Sequence, residues 1–212
     1  MSESKHSIEQ QLEKVLDNWS KFIGLVEKIS NDEIRTGLLS LCVELKDRIS
    51  VCPASTRTDY IGAYMGGLVE TALHTTKLMN SLNKAYDEHN RVDLDSIIIC
   101  GLFSQLGKIG TEKEDLYTPN ESQWHNDRGM MFDYNTKISA VPVTTRSLWW
   151  ITSSGIRLSE SEIHAITSLG TMGQVVQSQN EIYGTSLLAA MLQHATQVVS
   201  ITSTRGKTSV LS

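Results

Sequence analysis

Apolar residues recur at helical spacing from the start of the chain. Ile8, Leu12, Val15, Leu16, Trp19, Phe22, Ile23 and Val26 fall three or four apart, so they gather near one face of a helix over 7–29. Asn31 followed by Asp32 and Glu33 is a start signal, because a capping side chain and first-turn acids satisfy exposed amides and the helix dipole. That second helix should run to about Ser50 and stop before Pro53. Core helices are predicted over 67–85 and 94–106, with a polar turn at 88–92 between them, and shorter helices over 121–131 and 145–153. Ser159 with Glu162 has capping-box spacing and opens another helix carrying Ile163 and Ile166, and a last helix spans 185–201. Stretches 110–119, 133–143 and 170–184 lack periodicity and read as loops. No stretch alternates at the period of a strand, so the pattern predicts an all-α chain.

With 212 residues and 40% hydrophobic content, the chain suffices for one core, or a core with a helical extension. The first two helices could form a hairpin covering that core or a surface for self-association, and a homo-oligomer stays open. No apolar run reaches membrane-spanning length and the opening MSESKHSIEQQLEK is too polar for a signal peptide, so the expected place is the cytoplasm, without a membrane partner. Cys42, Cys52 and Cys100 are scattered and lack zinc-site pairing, which predicts buried thiols. The net charge is −5 and the basic residues are spread out, which disfavours long nucleic acid while allowing a small phosphorylated ligand.

Four blocks carry a resemblance. IIICGLFSQLGKIG over 97–110 is an apolar run ending in Ser104-Gln105 and then Gly107-Lys108. PASTRTDYIGAYMGGLVETALHTTKL over 53–78 has a Pro-Ala-Ser start and a glycine pair, Gly66-Gly67, leading into a helix; near the C-terminus stands LLAAMLQHATQVVS. NESQWHNDRG over 120–129 is the fourth. Over roughly 53–200 these resemble the HD-domain phosphohydrolase superfamily, whose metal centre is held by a histidine, a His-Asp pair and a late aspartate. At those positions this chain has Thr71, Ser104, Gln105 and Thr196, and Ile61 stands where many relatives have a further histidine. Hydroxyls and an amide replace imidazole and carboxylate poorly as ligands of divalent cations. The resemblance thus implies an HD-like helical core at 53–201, with an N-terminal helical hairpin at 1–52 and a flexible tail at 202–212, and no metal, cofactor or catalysis.

It also implies a cleft. Lys108 corresponds to a lysine lying close to the substrate phosphate in relatives, and the block with His125 and Arg128 borders the cleft there; one helical turn apart, these two would share a face. Arg146 before Trp149-Trp150 is a pairing that can hold a phosphate while a ring stacks on a base, although adjacent indoles cannot both face inward easily. His74, His164 and His194 read as ordinary core or surface histidines, since no second ligand recurs at metal spacing beside them.

The expected function is therefore an inactive HD-like domain that binds a small anionic ligand, a nucleotide or cyclic-nucleotide-like signal, without cleaving it. In its sharpest form this would be a phage-encoded sponge for an immune signalling nucleotide. Two alternatives stay open. One is a divergent phosphohydrolase using His125, Asp127, Glu112, Glu114 or Asp115; the other is a protein-interaction module with a vestigial cleft. No nucleophile elbow, phosphate loop or metalloprotease motif is present, and Ser104 lacks an assignable triad.

Overall fold

The computed structural model describes residues 2–171 and 186–208, and the chain is predominantly α-helical. The loop expected over 170–184 falls largely outside the described residues, as do Thr185 and residues 209–212 of the tail. In chain order the elements are α1 (Ser2–Val26), α2 (Asp32–Glu44), α3 (Lys46–Ile49), α4 (Gly67–Lys84), α5 (Leu94–Phe103), β1 (Tyr117–Pro119), α6 (Gln123–Asn126), β2 (Phe132–Tyr134), α7 (Val143–Ser153), α8 (Glu160–Ser168) and α9 (Leu187–Thr208).

Helix α5 is central because LDSIIICGLF is apolar on every side, and a helix of that kind must be covered all round. Its residues from Ile97 to Phe103 are buried, against α4, α8, α9 and α1. The N-terminal helices share this core. Val15, Trp19, Phe22 and Val26 are buried, and Phe22 meets Phe103 edge to face at 5.3 Å. Leu12 and Leu16, expected on the same face, are exposed: the buried stripe keeps to 15, 19, 22 and 26, and these two fall at its margin. The link is also polar. Asp95 on α5 accepts hydrogen bonds from the Ser30 amide at 2.8 Å, the Ser30 hydroxyl at 2.7 Å and the Asn31 amide at 3.0 Å. Asn31 in turn caps α2 by accepting from the Ile34 amide, so one buried carboxylate anchors the start of that helix.

Helix α8 starts on the capping box that the sequence predicts. The Ser159 hydroxyl accepts from the Glu162 amide while the Glu162 carboxylate accepts from the Ser159 amide at 2.7 Å. Glu162 is buried and also accepts from the Ser96 hydroxyl at 2.8 Å, which joins α8 to α5.

The helical reading holds, and the small sheet among the described residues is a two-stranded hairpin that the pattern did not announce. Tyr117, Thr118 and Pro119 pair antiparallel with Tyr134, Asp133 and Phe132, and the tyrosine rings stand 5.5 Å apart. Three-residue strands are too short to show a period of two. The helix expected over 121–131 shrinks to α6 (Gln123–Asn126) because a turn follows it. Gly129 takes a φ of +73° in that turn, and the amides of Met131 and Phe132 donate to the Thr56 carbonyl at 2.9 and 3.1 Å. The long second helix also breaks, at Leu45, into α2 and α3, and α9 continues to Thr208 through the first residues of the polar tail.

Candidate functional site

Two fixed points set the register of α4 against α5. At one end, the Asn83 side chain donates to the Val92 carbonyl and accepts from the Val92 amide, both at 2.8 Å. Midway, Gly101 lies so close to Thr76 that any Cβ would collide with it. The helices are therefore antiparallel. Five residues back from Thr76 and four on from Gly101, Thr71 comes level with Gln105, at the end of α5 where Ser104 is the last buried residue. Thr196 lies half-buried on α9, which packs against both helices.

The side chains at these positions make a neutral set. The Thr71 hydroxyl donates to the Gly67 carbonyl one turn back, at 2.7 Å, and is committed to its own helix. The glycine pair explains the helix start: Gly66 adopts a φ of +81°, open to glycine at little cost, and Gly67 abuts the Gly62 backbone too closely for a side chain. Hydroxyls and one amide do not fit a divalent cation in the way imidazole and carboxylate do. Among the described residues, no group of three or more His, Cys, Asp or Glu is placed to hold a metal ion.

After Gln105 the chain forms a tight 3-10 turn, Leu106–Ile109, gripped by α7. The fully buried Ser147 hydroxyl accepts from the Gly107 amide at 2.8 Å and lies 2.9 Å from the carbonyls of Ser104 and Val143. The Trp150 indole donates to the Gly110 carbonyl at 3.0 Å. Replacing Ser147 with alanine orphans the Gly107 amide, and chemical denaturation should register a loss of about 1–3 kcal/mol.

Lys108 donates to the Ala54 carbonyl at 2.7 Å. It forms no ion pair with any described residue, and burial pushes its ammonium down to about 8. Cys52 lies beside it, with its sulfur 3.5 Å from the Lys108 carbonyl; burial raises this thiol to about 12, so it is no thiolate at neutral pH. Cys42 and Cys100 are buried as well.

Arg146 is only 5% exposed, yet it too makes no ion pair with a described residue. Its guanidinium donates to the Ser139 carbonyl at 3.0 Å and, at 3.4 Å, to that of Gly107. Arg146 and Trp149 both line a pocket of about 480 Å³, with Trp149 exposed and Trp150 buried; only one of the adjacent indoles turns inward.

His125 and Arg128 lie elsewhere. Arg128 falls beyond the end of α6 and stacks on the Trp124 ring at 3.6 Å, while the His125 ring meets the same indole edge-on at 4.9 Å. The buried His125 Nδ1 has no hydrogen-bond partner. The structure thus brings Thr71, Ser104 and Gln105 to one level, joins Arg146 with Trp149, and sets His125 and Arg128 around Trp124. Sequence reading did not foresee Ser147, which fixes the turn after Gln105; a serine inside a helix gives no signal of its own. His74 and His194 are exposed and His164 is half-buried. Comparison with protein-family models, with curated proteins and with solved structures found no match.

Proposed function

We propose that this chain is a non-hydrolysing, HD-like helical domain that binds and sequesters a small anionic ligand, a nucleotide or nucleotide-derived signal. The observation that carries this reading is Lys108, a half-buried ammonium with one backbone acceptor and no ion pair among the described residues. A chain of net charge −5 has carboxylates to spare, yet none among the described residues neutralises this cation. An incoming anion would supply the missing partner, and Ser104, Gln105 and Thr196 would offer neutral hydrogen bonds where the resemblance expects metals, while the Thr71 hydroxyl stays with the Gly67 carbonyl. Without metal ligands at these positions, bound phosphate has no activated water to meet it. A sponge encoded by a phage for an immune signal is the sharpest form of this reading.

Calorimetry of the full chain with a panel of mono-, di- and cyclic nucleotides tests it. Lys108→Ala should weaken binding about ten- to hundredfold, the value of one charge-assisted contact. Arg128→Ala should have a smaller effect, because that guanidinium is occupied with Trp124. The pH dependence has a definite sign. With its ammonium lowered to about 8, Lys108 is charged below that pH and neutral above it, so affinity should fall as pH rises through about 8. Affinity that is flat from pH 7 to 9, or unaltered in Lys108→Ala, would remove Lys108 from the site.

A further inference from the structure

The pocket beside Trp149 is lined by none of Thr71, Ser104, Gln105 or Lys108. Its walls combine features that a structural packing defect would not need. The Trp149 ring is 42% exposed beside the half-open Val141, giving a flat apolar surface. At the back stands the Arg146 guanidinium, almost wholly buried, held in place by the Ser139 and Gly107 carbonyls and without an ion pair to any described residue. A guanidinium has five donors, and two backbone acceptors leave some of them free. Lys113 and Glu112 complete the charged lining, so its two cations stand against one carboxylate.

We infer that this pocket is a second binding site, separate from the proposed site at Lys108, for a ligand that carries a planar ring and a single negative charge. The ring would lie on Trp149, and the anionic group would take the free donors of Arg146. Stacking on an indole tolerates any flat ring, so ring identity is set loosely and charge is set more tightly. A net lining charge of one positive unit suits a phosphodiester or a monocarboxylate, whereas a triphosphate would press its extra charges on Glu112. At about 480 Å³ the pocket lies within the range of small-molecule sites and has room for one such unit.

The test is calorimetry on the full chain with three probes: a 3′,5′-cyclic mononucleotide, an aromatic monocarboxylate such as 1-naphthoate, and ATP. Trp149→Ala and Lys113→Ala are the variants, since both side chains are exposed and their loss leaves the core intact. The expected result is that at least one singly charged probe binds more tightly than ATP. Trp149→Ala should then weaken it about tenfold or more, and Lys113→Ala less. Which of the two singly charged probes wins separates a nucleotide from an aromatic acid as the source of the chemistry. Binding that responds to Lys108→Ala but not to Trp149→Ala belongs to the proposed site at Lys108; it would overturn the second pocket and leave the proposed function standing. Tightest binding by ATP, or no binding of either singly charged probe, would also overturn it.

Discussion

Asp95→Ala should lower stability by about 3 kcal/mol, one of the largest effects expected of a single polar change in this chain. Three donors from Ser30 and Asn31 converge on this buried carboxylate, and removing it leaves them facing an apolar methyl group. Each buried donor left without a partner costs about 1–3 kcal/mol, and partial access to water keeps the sum below the simple total. For a chain of this size the melting temperature should drop by roughly 6–12 °C. The same group sets an acid limit. Burial works to raise the Asp95 carboxyl, but the hydrogen bonds from Ser30 and Asn31, with Arg35 nearby, more than offset it and hold the group below its usual range. A depressed carboxyl contributes stability that is fully present above its unfolded value of about 4 and is lost as pH falls through the folded one. Wild type should therefore lose stability below about pH 4 more steeply than Asp95→Ala, and denaturation curves from pH 3 to 7 would show whether the two converge. A constant difference across that range would contradict the assignment.

Gly107→Ala is expected to be at least as damaging, although it adds a single methyl. A Cβ at this position would collide with the Val143 carbonyl and stand 2.9 Å from both the Arg146 Cβ and the Ser147 amide nitrogen. These are mostly backbone atoms of α7, so no rotamer change can relieve the contact. The turn must move away from α7, stretching the Ser147 bond to the Gly107 amide and the Arg146 bond to its carbonyl. Overpacking of this kind costs about 1–3 kcal/mol, and the broken bonds bring the expected loss to about 3–4 kcal/mol. Because the turn carries Lys108, and Arg146 bonds to its Gly107 carbonyl, ligand binding should suffer as well. A variant that folds with normal stability would show that the turn has room the structure denies.

The framework was legible because burial writes itself at a period of 3.6. The start of α2 at Asn31, the capping box at Ser159 and the all-round apolar α5 are each readable from residue type and spacing. What was lost lies where local pattern is weak or overridden. Leu12 and Leu16 match the helical face but fall outside the stripe that α4 and α5 cover. The hairpin of Tyr117 and Tyr134 depends on residues far apart in the chain, and the helix expected between its strands is cut short by the turn at Gly129. In the candidate site, Gly107 and Lys108 could be singled out by resemblance, yet the close approach that demands the glycine and the Ala54 carbonyl that holds the lysine are tertiary facts. Asp95 and Ser147 carry no sequence signature at all, since an acid or a serine near a helix end is usually solvated. His125 and Arg128 sit one turn apart as read, but a helix of four residues ends before Arg128, and Trp124 takes both contacts.

The central claim, binding without turnover, is tested most directly by recovering the ligand. The full chain would be incubated with radiolabelled mono-, di- and cyclic nucleotides at neutral pH, the complex isolated by rapid gel filtration, and the bound label released and chromatographed over a day. Retention of at least one nucleotide, near one equivalent and chemically unchanged throughout, is the predicted result. Appearance of a cleaved product that grows with time would contradict it in favour of a working phosphohydrolase, and failure to retain any member of the panel would contradict it in favour of a protein-interaction module.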